Sequence, residues 1–350
     1  MKRSAVLMTV LLVFVLLISA CGPAVETPAA AQPTQAAATS TSAPTEKPLP
    51  ATPTLEPTTV PTETQAPSPT PEALKLVDGL GNEITLSQPA QKVISLAPSN
   101  TEILYAVGAG DQVIARDDFS NYPTEAANLP SVGGSMTKFN LEEIARLQPD
   151  LVLTSPLTSP EQVKSLQEVA STVYVLPNPT SLDDLYSNLI TVGQLTGHQK
   201  DAETLVTDLK SRAQAVADRV AGATEKPKVF YELDATEPAK PWTAGPGTFI
   251  DLLIGLAGGE NLGASLSGEW AQISQEALIV QNPDIILLGD SLYGGITAES
   301  VAARPGWQAI QAVKDGRVLP FNDDLVSRPG PRMIDGLEEL AKAIHPELFK

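Results

Sequence analysis

The chain has 350 residues, with 23 basic and 41 acidic side chains and a formal net charge of −18. That excess argues against a nucleic-acid partner and against a polybasic membrane patch, both of which need clustered cations. Cys21 is the only cysteine, so no internal disulfide forms and stability must come from an ordinary core.

The N-terminus has the three zones of an export signal. Lys2 and Arg3 are basic, Ala5 to Ile18 are apolar apart from Thr9, and Ser19-Ala20 are small. The apolar run is shorter than the ~20 residues a membrane-spanning helix needs. Leu17-Ile18-Ser19-Ala20-Cys21 resembles the lipobox of bacterial lipoproteins. The resemblance implies removal of residues 1–20 and a diacylglycerol thioether on Cys21. Loss of Lys2 and Arg3 leaves 21 basic against 41 acidic side chains, a charge of 21 − 41 = −20.

Residues 21–73 are expected to be a tether. Residues 22–72 hold 12 prolines and 12 threonines and no aromatic residue. Such a stretch cannot bury enough apolar surface to offset its ordering entropy. Its prolines favour extended geometry at about 3.1 Å per residue.

From Leu74 onward, short apolar strands alternate with helical segments. Val93–Leu96 predicts a strand that runs into Pro98, and Ser99 with Glu102 predicts a capping box on a helix stopping at Gly108. Asn140 caps a helix ending at Pro149, followed by a strand at 150–154. Ser159-Pro160 opens another helix before a strand at 172–176. The same grammar returns as a strand at 229–233, a helix from Thr248 to Gly258 and a strand from Ile285 to Leu288. This alternation predicts an α/β class with mostly parallel sheets.

Residues 141–153 (LEEIARLQPDLVL) parallel residues 275–287 (QEALIVQNPDIIL). Both read helix, Pro-Asp break and buried strand, with Glu142 and Glu276 each seven residues before its proline. The recurrence predicts two similar α/β lobes, 74–198 and 223–350. Between them, residues 199–222 place Ala202, Leu205, Leu209, Ala213, Val216 and Val220 on one stripe, so one long rigid helix should join the lobes. Such a connector allows modest tilting about a cleft.

Catalytic and metal signatures are sparse. His198 and His345, the two histidines, sit at a helix boundary and near the C-terminus, where surface positions are expected. Neither supports a metal site or a nucleophile–His–acid set. Gly245-Pro246-Gly247 lacks the lysine and spacing of a phosphate loop. The aspartate pairs Asp117-Asp118, Asp183-Asp184 and Asp323-Asp324 read as solvated caps or loops. No enzyme is required by these residues.

Val93–Gly108 (VISLAPSNTEILYAVG), Asp118–Pro123, Asn140–Glu142, Pro149-Asp150, Gly258–Leu262, Glu269-Trp270, Pro283-Asp284 and Ser327–Arg332 (SRPGPR) occur in this order. Together they closely resemble the substrate-binding proteins of cobalamin and ferric-siderophore ABC importers, across essentially all of 74–350. The resemblance implies a monomer whose two lobes, bridged by one helix, hold the ligand between them, with a permease and its ATPase as partners. With the charge excess and the scarcity of metal ligands noted above, no cofactor apart from lipid on Cys21, no metal of the protein's own and no nucleic acid are expected. The resemblance also places Glu142 and Glu276 on the permease-docking face, and Phe119, Tyr122, Trp242 and Trp270 at aromatic ligand positions. Asp324 and Arg328 fall on polar ligand positions, where Arg328 would meet an anionic group. Met136 and Ser155 stand where cobalamin binders of this kind carry tryptophans, which weakens cobalamin and leaves a ferric siderophore or another corrinoid open. A siderophore binder often uses several arginines, and here Arg328 is the one clear candidate, with Lys138 a second, so the reading leans narrowly to a corrinoid. Two other classes remain open at this point: an adhesive or structural surface lipoprotein, which the tether would suit, and an enzyme acting on extracellular polymer.

Overall fold

A computed structural model of the chain describes residues 73–134 and 138–350. The export signal, Cys21, all but the last residue of the tether and Met136 lie outside the described residues. Strands β1 (Leu74–Val77), β2 (Glu83–Leu86), β3 (Val93–Ser95), β4 (Val113–Arg116), β5 (Leu151–Thr154) and β6 (Val173–Val175) come first. After two long helices follow β7 (Lys228–Glu232), β8 (Trp242–Ala244), β9 (Glu260–Asn261), β10 (Trp270–Gln272), β11 (Ile285–Leu288) and β12 (Val318–Pro320).

Two four-stranded parallel sheets carry the architecture, ordered β4-β3-β5-β6 and β12-β11-β7-β9. Counted within each sheet, both read 2-1-3-4. Alternating side chains bury both faces of each sheet. In the first, Val93, Leu151 and Leu153 join Leu104 and Leu189 on one face, while Ile94 and Val152 join Ile144 and Leu166 on the other. In the second, Tyr231, Ile285 and Leu287 meet Ile250 and Leu337, and Phe230, Ile286 and Leu288 meet Trp307.

The repeated segments superpose in chemistry as well as in order. Helices Leu141–Leu147 and Gln275–Gln281 have the same length and the same kind of cap: Asn140 Oδ1 accepts from Glu143 N at 3.1 Å, and Ser274 Oγ from Ala277 N at 3.2 Å. Both end in a left-handed residue, Gln148 and Asn282, each at φ 50°. A proline then blocks helix continuation. The following aspartates clip the third strand of each sheet to the first: Asp150 accepts from Gln91 N and Lys92 N, Asp284 from Lys228 N.

Helix Gln199–Val220 has 22 residues, about 33 Å of rise. Its Ala202, Val206 and Leu209 belong to the core of the first sheet, and its Val216 to that of the second. Arg212, midway, pairs with Asp335 at 2.6 Å and Glu338 at 2.9 Å on helix Met333–Ile344. Helix Leu182–Thr196 packs alongside, and its Leu185 also reaches the second core.

Three local expectations fail. Ala97, not Ser99, caps helix Pro98–Ala106, with no side-chain cap, and Glu102 is buried in ion pairs with Arg328 and Arg332 from the segment after β12. His345 is buried, its Nε2 3.2 Å from Gly258 O, because the last helix packs back onto the second core. Asp117 is buried as well, and Asp323 accepts from the buried Tyr231 hydroxyl at 2.6 Å, so two of the aspartate pairs are not simply solvated.

Candidate ligand cleft

Parallel strands in α/β sheets all end on one side, and loops leaving their carboxyl ends make the usual site. Here the two sheets point those ends at one another. A cavity of about 560 Å³ is lined on one side by Leu96–Ser99 after β3, Asp117 and Phe119 after β4, and Ser155 after β5. On the other side stand Leu233 after β7, Phe249, Trp270, and Asp323 with Arg328 after β12. A concavity of similar size, about 590 Å³, lies beside Leu292 and Phe321 on the second sheet's side alone. It lacks the convergence of loops from two sheets.

The aromatic residues singled out from sequence are all far more exposed than core residues. Phe119 is 47 %, Tyr122 46 %, Trp242 41 % and Trp270 43 % exposed. The two tryptophans share a two-stranded antiparallel ribbon, β8 with β10, in which Trp270 lies opposite Ala244 and Gln272 opposite Trp242. The register places both tryptophans on one face of the ribbon as diagonal neighbours, together with the buried Ala244, while the buried Thr243 and Ala271 fall on the other face. The ribbon closes tightly only because residue 245 is glycine: a Cβ there would sit 2.1 Å from Gly268 O. Thr248 Oγ1 then donates to Gly245 O at 2.9 Å, which gives the Gly-Pro-Gly segment a structural role. Phe249 meets Trp270 edge-on at 5.9 Å, a favourable ring geometry.

Not every candidate enters the cavity wall. Phe119, Trp270 and Arg328 line it, whereas Tyr122, Trp242 and Asp324 do not. The Tyr122 ring lies under the Arg332 guanidinium at 4.0 Å. Asp324 accepts from Tyr293 Oη at 3.1 Å and pairs with Arg328 at 2.9 Å. Arg328 also donates to Glu102 at 3.3 Å and to Asn121 at 2.7 Å. Arg332 donates through Nε to Glu102 at 2.7 Å and through Nη2 to its other oxygen. Helix Pro98–Ala106 of the first sheet and the segment after β12 of the second are thus joined by one ion cluster, of which Arg328 lines the cavity.

Glu102, Asn121 and Arg332 were not among the sequence candidates, nor were Asp117 and Asp323 on the cavity wall. The closeness of two arginines in the Ser327–Arg332 motif was the only local signal. Burial raises the carboxyls of both aspartates, against hydrogen bonds from Ser120 to Asp117 and from Tyr231 to Asp323.

Away from the cavity, Glu142 and Glu276 occupy equivalent first turns of the repeated helices. Both are exposed, and neither makes a hydrogen bond or ion pair among the described residues. His, Cys, Asp and Glu side chains form no metal-binding group of three among the described residues.

Two parallel sheets of identical order, with a cleft between their carboxyl ends, define a bilobal binding protein. Residues 93–325 match the periplasmic binding protein family, and the chain belongs to it. It is 33 % identical to the uncharacterized ABC transporter substrate-binding lipoprotein YvrC of Bacillus subtilis, over 78 % of this chain and 86 % of that protein. The crystal structure of the vitamin B12-binding protein BtuF of Vibrio cholerae is similar at 28 % identity and a TM-score of 0.64, over 75 % of this chain and 99 % of that one. The heme-binding protein RhuT of Roseiflexus sp. RS-1, in its apo form, gives 26 % and 0.66, over 74 % and 99 %. The protein is therefore the substrate-binding component of an ABC importer, a class that works outside the cytoplasm with a membrane permease and its ATPase.

Proposed function

We propose that the protein captures a corrinoid between its lobes, 74–198 and 223–350, and hands it to the permease. The observation that carries this reading is the cavity wall, where Phe119, Phe249 and Trp270 offer broad apolar faces beside a few fixed polar groups. A large ligand of mixed polarity needs that combination. Trp242, on the same ribbon as Trp270, is exposed and adds a further aromatic surface, and the likeness to a B12-binding protein supports the same choice. No catalytic step is part of this role.

Protein purified from its own host should carry a corrin absorption spectrum and a matching mass in native spectrometry. An iron-chelate band in its place would remove the corrinoid. Trp270→Ala should weaken binding about tenfold through the lost stacking face and apolar contact.

Glu142 and Glu276 are assigned to permease docking, one from each lobe, and lipid on Cys21 with the tether 21–73 keeps the monomeric receptor near its permease. Confinement of this kind raises effective concentration without any new contact. Charge reversal at both glutamates should abolish uptake and leave ligand affinity unchanged; an equal loss of affinity would sink the assignment. Cys21→Ser should release the protein from the membrane fraction.

A further inference from the structure

The cavity has a charge pattern that its aromatic walls do not explain. Among the described residues, the charged side chains lining it are Asp117, Asp323 and Arg328. Residues 135–137, Ser-Met-Thr, add no charge. Arg328 is not an open cation. Its guanidinium is held by Glu102, Asp324 and Asn121, and its side chain is 12 % exposed. With Arg332 included, Glu102, Asp324, Arg328 and Arg332 sum to zero.

Two carboxylates are left, one from each side of the cleft. Asp117 accepts from Ser120 N at 2.8 Å and Asp323 from Tyr231 Oη at 2.6 Å, and neither forms an ion pair among the described residues. The nearby Arg116 forms no ion pair with the Asp117 carboxylate, though its charge favours the ionised form; it donates to the backbone carbonyls of Asp117, Ala126 and Ala127. Lys138 is exposed and does not line the cavity.

We infer that Asp117 and Asp323 set the permitted charge of the ligand: the cavity takes a neutral or cationic metal chelate and rejects one bearing carboxylate, propionate or catecholate charge. The inference rests on the cleft being the ligand site, as proposed above, and extends that reading to named specificity residues. Amide or hydroxyl donors on a neutral chelate can meet the two carboxylates. An anion in the same place meets them at about 10 Å or less, where the repulsion at an effective dielectric near 20 costs roughly tenfold or more in affinity per charge. Asp117 is only 2 % exposed, so little water remains beside it to screen an incoming anion. The net charge of −18 adds long-range repulsion of the same sign.

Calorimetric titration of the full chain with four probes tests this. Two are neutral, cyanocobalamin and a ferric trihydroxamate. Two are anionic, hemin with its propionates and a ferric tris-catecholate. At least one neutral probe should bind, with the anionic probes about a hundredfold weaker, and added salt should strengthen only the anionic ones. Asp117→Asn with Asp323→Asn should recover most of that hundredfold for the anionic probes and change the neutral probes less. If that variant does not fold, the ranking and salt response of the unaltered protein decide. Hemin or the catecholate binding as tightly as the neutral probes overturns the charge rule, even where cyanocobalamin binds. The trihydroxamate binding while cyanocobalamin does not removes the corrinoid and leaves the charge rule standing. Failure of all four removes both.

Discussion

Asp290, just beyond β11, is a single residue whose environment works against it. Burial, with the charge of Glu232 nearby, pushes its carboxyl up to about 6, and its Oδ1 is buried with no hydrogen-bond partner. Only Oδ2 is used, accepting from Ala235 N at 3.0 Å. An unfolded aspartate titrates near ~3.9, so between about pH 4 and pH 6 the folded chain holds more protons than the unfolded one. Stability must then fall as pH rises through that window, and the full deficit persists above it. Asp290→Asn keeps an acceptor for Ala235 and removes the charge. We expect it to stabilise the protein at pH 7 by about 1 kcal/mol, a figure reduced for the solvent that reaches this half-buried side chain. The gain should vanish below pH 4, where the native residue is protonated in both states. Urea unfolding at the two pH values checks this, and an equal gain at both would show that the effect is not electrostatic.

At the scale of elements, the helix–turn–strand repeat holds a controlled comparison. Gln148 and Asn282 sit at equivalent left-handed positions, a conformation that costs a side chain roughly 1–2 kcal/mol and glycine almost nothing. Asn282 has compensation, since its Oδ1 accepts from Gln311 N at 2.7 Å, while the Gln148 side chain makes no hydrogen bond among the described residues. Gln148→Gly should therefore raise stability by about 0.5–1 kcal/mol, and Asn282→Gly should not. Matching effects from the two changes in thermal melts would show that the side-chain bond contributes nothing. The same units explain what could be read in advance. Caps at Asn140 and Ser159, Pro-Asp breaks and buried runs such as Ile285–Leu288 are local chemistry, and they suffice for a parallel α/β fold. Glu102 was read locally too, as a capping partner of Ser99, and there the reading failed. Its actual partners lie 226 and 230 residues away, and no pattern within one turn of helix encodes them. Asp323 and His345 fail for the same reason: their burial comes from packing between distant elements. The cavity wall was legible only in part, because which aromatic residues converge depends on the angle between sheets.

For the molecule as a whole, the Glu102 cluster and the long helix constrain the cleft in different ways. Helix Gln199–Val220 shares its apolar side chains between both cores, so it limits sliding but permits tilt about its ends. The ion cluster joins a helix of the first sheet to the segment after β12 of the second. Glu102 is almost fully buried, 1 % exposed in its side chain, with Arg328 and Arg332 at 12 % and 14 %. Removing one partner of such a pair typically costs about 3–5 kcal/mol, since the opposing charge stays buried without compensation. Replacing both by apolar groups of similar volume is often neutral. Glu102→Gln should accordingly lower stability by an amount in that range, and Glu102→Met with Arg332→Met should recover most of it, leaving Arg328 held by Asp324 and Asn121. If the cluster also fixes the lobe angle, spin labels at Lys164→Cys and Lys314→Cys, both exposed positions, should report a broader and longer distance distribution in the Glu102→Gln protein. The measurement uses a Cys21→Ser background so that only the two introduced thiols are labelled. Loss of stability with an unchanged distance distribution would assign the cluster to folding alone and leave the helix as the element that sets the opening of the cleft.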